Sequence, residues 1–255
     1  PITSRVAHAF VLRNHYSHKS VNNSQLHLGV FLQGQMVGAL QFGPSLDKSK
    51  LIGLVGGTRW NGFLELNRLA MVDDTPRNTE SRAISVAMRL IRQNYPHIQW
   101  VVSFADATQC GDGTIYRASG FVLTGIKKNN QIWEAPDGLL TTRMVATDTR
   151  RPQRGREVAH VASARESRTS LTDGRAKRQQ LEAVRLSRFT ATKAGNILET
   201  GAASMKVFVE AGFKPLPGFQ LRYMYFLDPT ARQRLTVPII PFGEIVRRGA
   251  GMYLG

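Results

Sequence analysis

The chain has a single cysteine, relatively few acids, and no apolar run near the ~20 residues that a bilayer-spanning helix needs. Each absence excludes something. One thiol cannot build an intrachain disulfide framework, and no leader of basic then apolar residues opens the sequence, so a protein of the cytosol, off the membrane, is the simplest expectation. Aromatic residues make up only 8% of a chain that is 42% apolar, which suits one globular domain with an appendage and excludes a small loop-built scaffold. No GxGxxG run and no GxxxxGKS/T run occurs, which argues against Rossmann and nucleotide-hydrolysing readings. Internal repeats and low-complexity tracts are also missing.

Positive charge is what the sequence has in excess. Lys and Arg number 34 against 18 Asp and Glu, a formal +16 over 255 residues. Such an imbalance points to a polyanionic partner. Phosphate contacts supply most of the affinity of nucleic-acid binders, so DNA or RNA ranks above anionic lipid, for which no basic amphipathic helix with a bulky apolar face stands out.

Val6, Phe10 and Val11 fall near helical spacing, predicting a helix that ends near Asn14, with a loop over His15 to Ser20. "LHLGVFLQGQMVGALQFGPS" reads as a hairpin turning at Gln33-Gly34-Gln35. "GFLELNRLAMVDD" alternates imperfectly and reads as a strand with a bulge near Asn67 or Arg68. The clearest helix follows, with Ala83, Ile84, Ala87, Met88 and Ile91 at spacings of three and four, Asn78 or Thr79 as cap, and Pro96 past its exit. Then come a strand in "HIQWVVSFAD", a short helix over Gly113 to Ser119, a strand over Phe121 to Ile126, and a hairpin around Pro136-Asp137-Gly138. This order implies an α/β (α+β) fold whose mixed central sheet contains a parallel pair joined by right-handed crossovers.

From Arg150 to Lys193 twelve basic residues face four acidic ones and aromatics almost vanish. Only "GRAKRQQLEAVRLSRF" is helix-compatible there. A solvated, partly helical arm is one reading; a clamp on a phosphate backbone is the other, with Arg150, Arg151, Arg154, Arg175, Lys177 and Arg178 as DNA-binding candidates. Strand-forming aromatics return in "GFKPLPGFQLRYMYFLDP". The expected division is a core over 1–149, a basic DNA-binding insertion over 150–195, and a segment over 196–255 that completes the sheet.

At the second half of this pattern, "TPRNTESRAIS" sets Arg77, Asn78, Thr79, Ser81 and Arg82 at the first turn of a helix after a strand. Free N–H groups, the positive helix end and two arginines suit a pyrophosphate, although an ordinary capped helix with solvent-facing arginines explains the same residues. "SFAD" followed by the short helix "GTIYRASGF" resembles the second half of a GCN5-related acyltransferase (GNAT) fold. That resemblance implies an acyl-coenzyme A cradle at Arg77 to Arg82, though the glycines usual in that loop are missing here.

Four longer stretches, "RNHYSHKSVNNSQLHLGVFLQGQMVGALQFGPSLDK", "FLELNRLAMVDDTPRNTESRAI", "SFADATQCGDGTIYRASGF" and "LPGFQLRYMYFLDP", are similar to the Mom family of DNA-modification proteins from Mu-like phages. The resemblance implies a GNAT-derived transferase that adds a carbamoylmethyl group to the exocyclic N6 of adenine in double-stranded DNA. It would work in the cytoplasm of the infected host and protect the phage genome from restriction. It further implies acetyl-coenzyme A, or another acyl or aminoacyl donor, and iron. Carried over residue by residue, the metal set falls on His15, Tyr16 and Asp106, and active-site positions fall on Arg68, Ser81 and Tyr116.

Each of those residues also has a reading of its own. Imidazole, phenolate and carboxylate suit iron, and His18 is the natural second imidazole; yet a loop histidine is as a rule merely solvated. Asp106 ends a central strand, where open sheets place functional groups. Tyr116 is either a core aromatic or a general acid for a leaving thiolate. Glu65 is either a general base or, preferably, the partner of Arg68. Cys110 is more simply a bystander. Trp60, Trp133, Tyr223 and Tyr225 are the candidates for stacking an extruded base, and some of them fill the core instead. Two other functions stay open: a GNAT acyltransferase acting on a protein or small-molecule amine, and a non-catalytic DNA-binding protein on the same scaffold. A homodimer is equally open.

Overall fold

A computed structural model describes residues 1–15, 21–107, 111–129, 132–134, 140–142, 209, 212–216 and 218–251. The chain divides into two compact units, 1–127 with 219–255, and 128–218. The first is built on six strands: β1 (Leu26–Leu32), β2 (Gln35–Gly43), β3 (Phe63–Met71), β4 (Trp100–Asp106), β5 (Val122–Asn129) and β9 (Gly218–Phe226). They form one sheet in the order β1-β2-β3-β4-β9-β5. The second unit holds β6 (Ile132–Glu134), β7 (Leu140–Thr142) and β8 (Lys214–Pro215), a small sheet in the order β7-β6-β8.

The expected hairpins are present. β1 and β2 pair antiparallel through a two-residue turn in which Gln33 and Gly34 both have positive φ, as the right-handed strand twist favours. β6 and β7 pair with Ile132 opposite Thr142. The bulge in β3 is at Asn67: Gln41 faces Arg68 and Phe42 faces Leu66, leaving Asn67 as the extra residue. The expected parallel pair is β3 with β4. β5 does not lie beside β4; β9 inserts between them and runs antiparallel to β4. Arg222 fastens this late strand to β5, donating from Nη2 to the Thr124 carbonyl at 2.7 Å and from Nε to Thr124 Oγ1 at 3.1 Å.

Two sets of helices cover the two faces. α3 (Thr79–Asn94) buries Ser81, Ile84, Ala87, Met88 and Ile91, a stripe at three-and-four spacing. Together with α4 (Thr114–Ala118) it closes one core against Leu40, Phe42, Leu66, Val101, Ala105, Leu221 and Tyr223. On the opposite face α1 (Ser4–Asn14) sets Val11 against Ala39 and Ala70. The stretch from α2 (Lys48–Leu51) to Val55 and the helix α5 (Pro229–Gln233) cover Phe63, Trp100, Val102 and Met224 on that same face. A last short helix, α6 (Gly243–Arg247), packs Ile245 into the α3-side core.

Candidate active site

β3 and β4 start side by side and then part. Their parallel register covers only Phe63–Trp100, Leu64–Val101 and Glu65–Val102. Beyond it β3 stays paired with β2 out to Met71, and β4 stays paired with β9 out to Asp106. Ser103 Oγ donates to the Leu66 carbonyl at 3.3 Å where the strands separate. The notch opens at the carboxyl ends of a parallel pair, the position at which open sheets bind ligands.

Strand alternation sorts the candidate residues into two sets. Leu64, Leu66 and Leu69 of β3 point toward α3, so Glu65 and Arg68 point toward α1. In β4, Val101 and Ala105 face α3 while Val102 and Phe104 face the other way, and Asp106 follows Phe104 by two. His15 continues the buried stripe Ala7–Val11 of α1, one turn on, and is itself buried. His15, Glu65, Arg68 and Asp106 therefore share the α1 face. Ser81 and Tyr116 belong to the α3 face, across the notch. Tyr16, His18, Cys110 and the basic candidates Arg150, Arg151, Arg154, Arg175, Lys177 and Arg178 lie outside the described residues.

On the α1 face Glu65 sits among partners that the sequence alone did not reveal. Burial pushes its carboxyl above the ordinary range, opposed by a hydrogen bond from Ser45, the Arg68 charge and a hydrogen bond from Asn67, with Asp47 adding to the rise. Arg68 also donates from Nη1 to the Asn67 carbonyl at 2.7 Å, and Asn67 Oδ1 accepts from Ser24 Oγ at 3.1 Å, so the bulge residue braces the group. In register with Arg68 lie Gln41 and, beyond it, His27. Gln41 is fully buried, with Nε2 3.3 Å from His27 Nδ1.

The raised carboxyl fixes the sign of a pH effect. The folded chain holds this proton more tightly than the unfolded chain, so the contribution to stability is present below the ordinary glutamate pKa and is lost as pH rises through the folded value. Glu65→Gln is therefore expected to be more stable than wild type at pH 8, with the gap closing toward pH 4. Thermal melts across that range check this.

On the α3 face the helix start is unusual. Asn78 occupies the cap in a left-handed conformation, and no side chain caps the helix, contrary to the expectation for Asn78 or Thr79. Thr79 Oγ1 donates instead to the Pro76 carbonyl at 2.6 Å, and Ser81 Oγ to the Asn78 carbonyl at 3.1 Å. Beside this turn a groove of about 390 Å³ is lined by Ser81, Arg82, Ser85, Val86, Arg89 and Ala118.

Tyr116 is a packed ring, 8% exposed, stacked on Tyr223 at 5.2 Å and tilted against Phe121 at 5.5 Å. Tyr223 is fully buried and its hydroxyl donates to the Asp112 carbonyl, while burial raises its pKa; it fills the core and cannot stack a base. Trp133 is also buried, whereas Trp60 is exposed. Asp112 Oδ1 accepts from the Thr114 amide at 3.1 Å and hydroxyl at 2.6 Å, fixing the start of α4; "DGT" was its overlooked signal. Gly113 has φ +77°, and an added Cβ would fall 2.5 Å from the Tyr223 ring. Gly113→Ala should therefore cost on the order of 3 kcal/mol. That is roughly 10 °C in Tm by calorimetry.

The model of the Mom protein family matches residues 1–185. The chain belongs to the Mom family. It is 46% identical over 125 residues to the methylcarbamoylase Mom of Escherichia phage Mu, a match covering 49% of this chain and 52% of that protein. The chain thus spans about half the length of the curated relative. Among solved structures it is similar to a tandem GNAT protein from the clavulanic acid biosynthesis pathway, at 12% identity over 80% of this chain and 83% of that one, with TM-score 0.40. It is also similar to the aminoglycoside acetyltransferase AAC(6')-Ib in complex with coenzyme A and kanamycin, at 16% identity over 44% and 60%, with TM-score 0.26. Likenesses this distant do not bear on the site.

Proposed function

We propose that this protein is a DNA-modifying transferase that attaches a carbamoylmethyl group to the exocyclic N6 of adenine and thereby shields phage DNA from restriction in the infected cell. The observation that carries this reading is the family match over residues 1–185, which a relative named as a methylcarbamoylase supports. The formal +16 charge supports DNA as the substrate.

The adenine amino group is a poor nucleophile because its lone pair is delocalised into the ring. When N6 bonds to the incoming carbon its N–H proton must leave; we assign its acceptance to a carboxylate of the α1 face, Asp106 beyond the point where the strands part or Glu65 just before it. Arg68 beside Glu65 holds charge balance there. The target base is drawn out of the duplex to reach them. Across the notch, the α3 groove suits a donor that carries phosphates: Arg82 and Arg89 supply charge, Ser81 and Ser85 supply hydroxyls, and Arg77, Asn78 and Thr79 form the turn leading in. Tyr116 is the proton donor to the leaving group. A bare acetyl group contains no nitrogen, so acetyl-coenzyme A alone cannot supply the carbamoyl nitrogen. A glycyl donor contains it: acyl transfer breaks the donor's ester or thioester bond, releases the alcohol or thiol and leaves –CO–CH2–NH2 on N6, an isomer that must then rearrange to –CH2–CO–NH2.

Iron fares differently. Among the described residues no three His, Cys, Asp or Glu side chains gather into a metal-binding group, and Tyr16 is not among them. The described residues alone do not make an iron site. In this reading the core over 1–149 and the segment over 196–255 carry the chemistry, and the basic stretch over 150–195 grips the duplex. Restriction digestion tests the proposal: genomic DNA from cells expressing the protein should resist enzymes whose sites contain the modified adenine, and full cleavage would count against it.

A further inference from the structure

We propose that Lys48, Arg59 and Trp60 form a second DNA-contacting surface, in which the Trp60 indole lies against the groove about five base pairs from the modified adenine. This rests on the DNA-modification reading above, but it concerns a part of the molecule that reading leaves unused. Trp60 is a candidate in sequence for stacking the extruded base, and its position in the fold argues for a different task.

The protein has three tryptophans, of which Trp100 and Trp133 are buried and Trp60 is 59% exposed. The exposed ring is held in place. Gly62 N donates to the Arg59 carbonyl at 2.7 Å, closing a turn around Trp60, and Gln99 N donates to the Gly62 carbonyl at 2.7 Å, tying that turn to the start of β4. Lys48 Nζ donates to Asn61 Oδ1 at 3.1 Å and stands 4.8 Å from the centre of the Trp60 ring and 5.9 Å from that of Phe63. Phe63 in turn lies flat on Trp100 at 4.2 Å. The indole and its ammonium are thus mounted on the core rather than on a loose loop, so little ordering is left to be done on binding.

The charge around the ring selects a polyanion. Between β2 and β3 the chain carries Lys48, Lys50 and Arg59 against one acid, Asp47, and Asp47 already pairs with Lys50 at 3.4 Å. Partial burial lowers the pKa of Lys48, the response of an ammonium set against rings. A flat ring flanked by cations matches a nucleic-acid strand, whose sugars and base edges meet the ring while its phosphates meet the cations.

Geometry places this surface on the substrate side. Phe63 belongs to the same face of the sheet as Glu65, Arg68 and Asp106. Phe63 is level with Trp100, and from there the site lies four strand steps away at Arg68, the bulge residue aside, and six at Asp106, about 13 to 20 Å at ~3.3 Å per residue. A duplex rises ~3.4 Å per base pair, so about five base pairs cover that span. Trp60 is therefore too far away to stack the reacting base, yet it lies within the footprint of one duplex centred on it.

The test uses the full chain and a fluorescein-labelled duplex of about 20 base pairs with a central adenine. Acrylamide quenching of tryptophan emission reports chiefly on Trp60, because the other two indoles are buried. Saturating duplex should protect that emission. Trp60→Ala and the double variant Lys48→Gln/Arg59→Gln, each checked for an unchanged circular dichroism spectrum, should bind about tenfold more weakly. The difference should vanish on duplexes trimmed to fewer than about five base pairs on either side of the adenine. Unchanged quenching with DNA bound, or wild-type affinity in the folded variants, would overturn the proposal. Protected Trp60 on DNA that is never modified would refute the modification reading and leave this surface standing; modified DNA with unprotected Trp60 would do the reverse.

Discussion

Replacing Asp106 with alanine is expected to lower the yield of modified deoxyadenosine at least about a hundredfold while leaving the fold and duplex affinity near wild type. The separation of effects follows from how β4 ends. Asp106 pairs with Gln220, and Ala107 N donates to the Phe219 carbonyl at 2.8 Å; both interactions are made by backbone, and alanine keeps them. The carboxylate lies past the point where β3 and β4 part, on the face that carries Arg68 and His15. Asp106→Asn refines the test, since it keeps the shape and removes the basic oxygen. If a carboxylate is required, asparagine fails as badly as alanine. Modified nucleoside at wild-type level in both variants would remove Asp106 from the chemistry.

The second large effect concerns the basic stretch. Deleting residues 150–193 removes twelve basic and four acidic residues, a net eight of the formal +16. If that stretch grips phosphates, duplex binding should weaken about a hundredfold or more near physiological salt, and the slope of log affinity against log salt should flatten by about 0.9 for each phosphate that the shortened chain no longer neutralises. Thermal stability of the sheet should change little. Parallel lines for the two proteins, displaced or not, would mean that the stretch binds no phosphates and is a solvated insertion.

How far the sequence foretold these features depends on the range of the interaction that sets them. Local signals were legible: the Gln33-Gly34 turn, the α3 stripe and the Asn67 bulge each follow from a few neighbouring residues and stand where expected. The insertion of β9 between β4 and β5 joins residues about a hundred apart, as in the bonds from Arg222 to Thr124, and no local pattern encodes it. The same limit applies to the site. Asp106 was conspicuous at a strand end, but the division of the candidates between two faces of one sheet needed the registers of three strands. Glu65 stands out in sequence as a carboxylate three residues before Arg68, while Ser45 and Asn67, which tune it, are ordinary residues there. Of the four stacking candidates Tyr223 is one that fills the core, a buried strut beneath Tyr116, and its burial depends on the distant pairing of β9 with β4.

The central claim is that the notch between β3 and β4 serves DNA base modification, and the nucleoside mass spectrum tests it most directly. DNA from cells expressing the protein, digested to nucleosides, should contain a deoxyadenosine heavier by one carbamoylmethyl group, absent from cells expressing Asp106→Ala. Deoxyadenosine of unaltered mass at full expression of the wild-type chain would contradict the account.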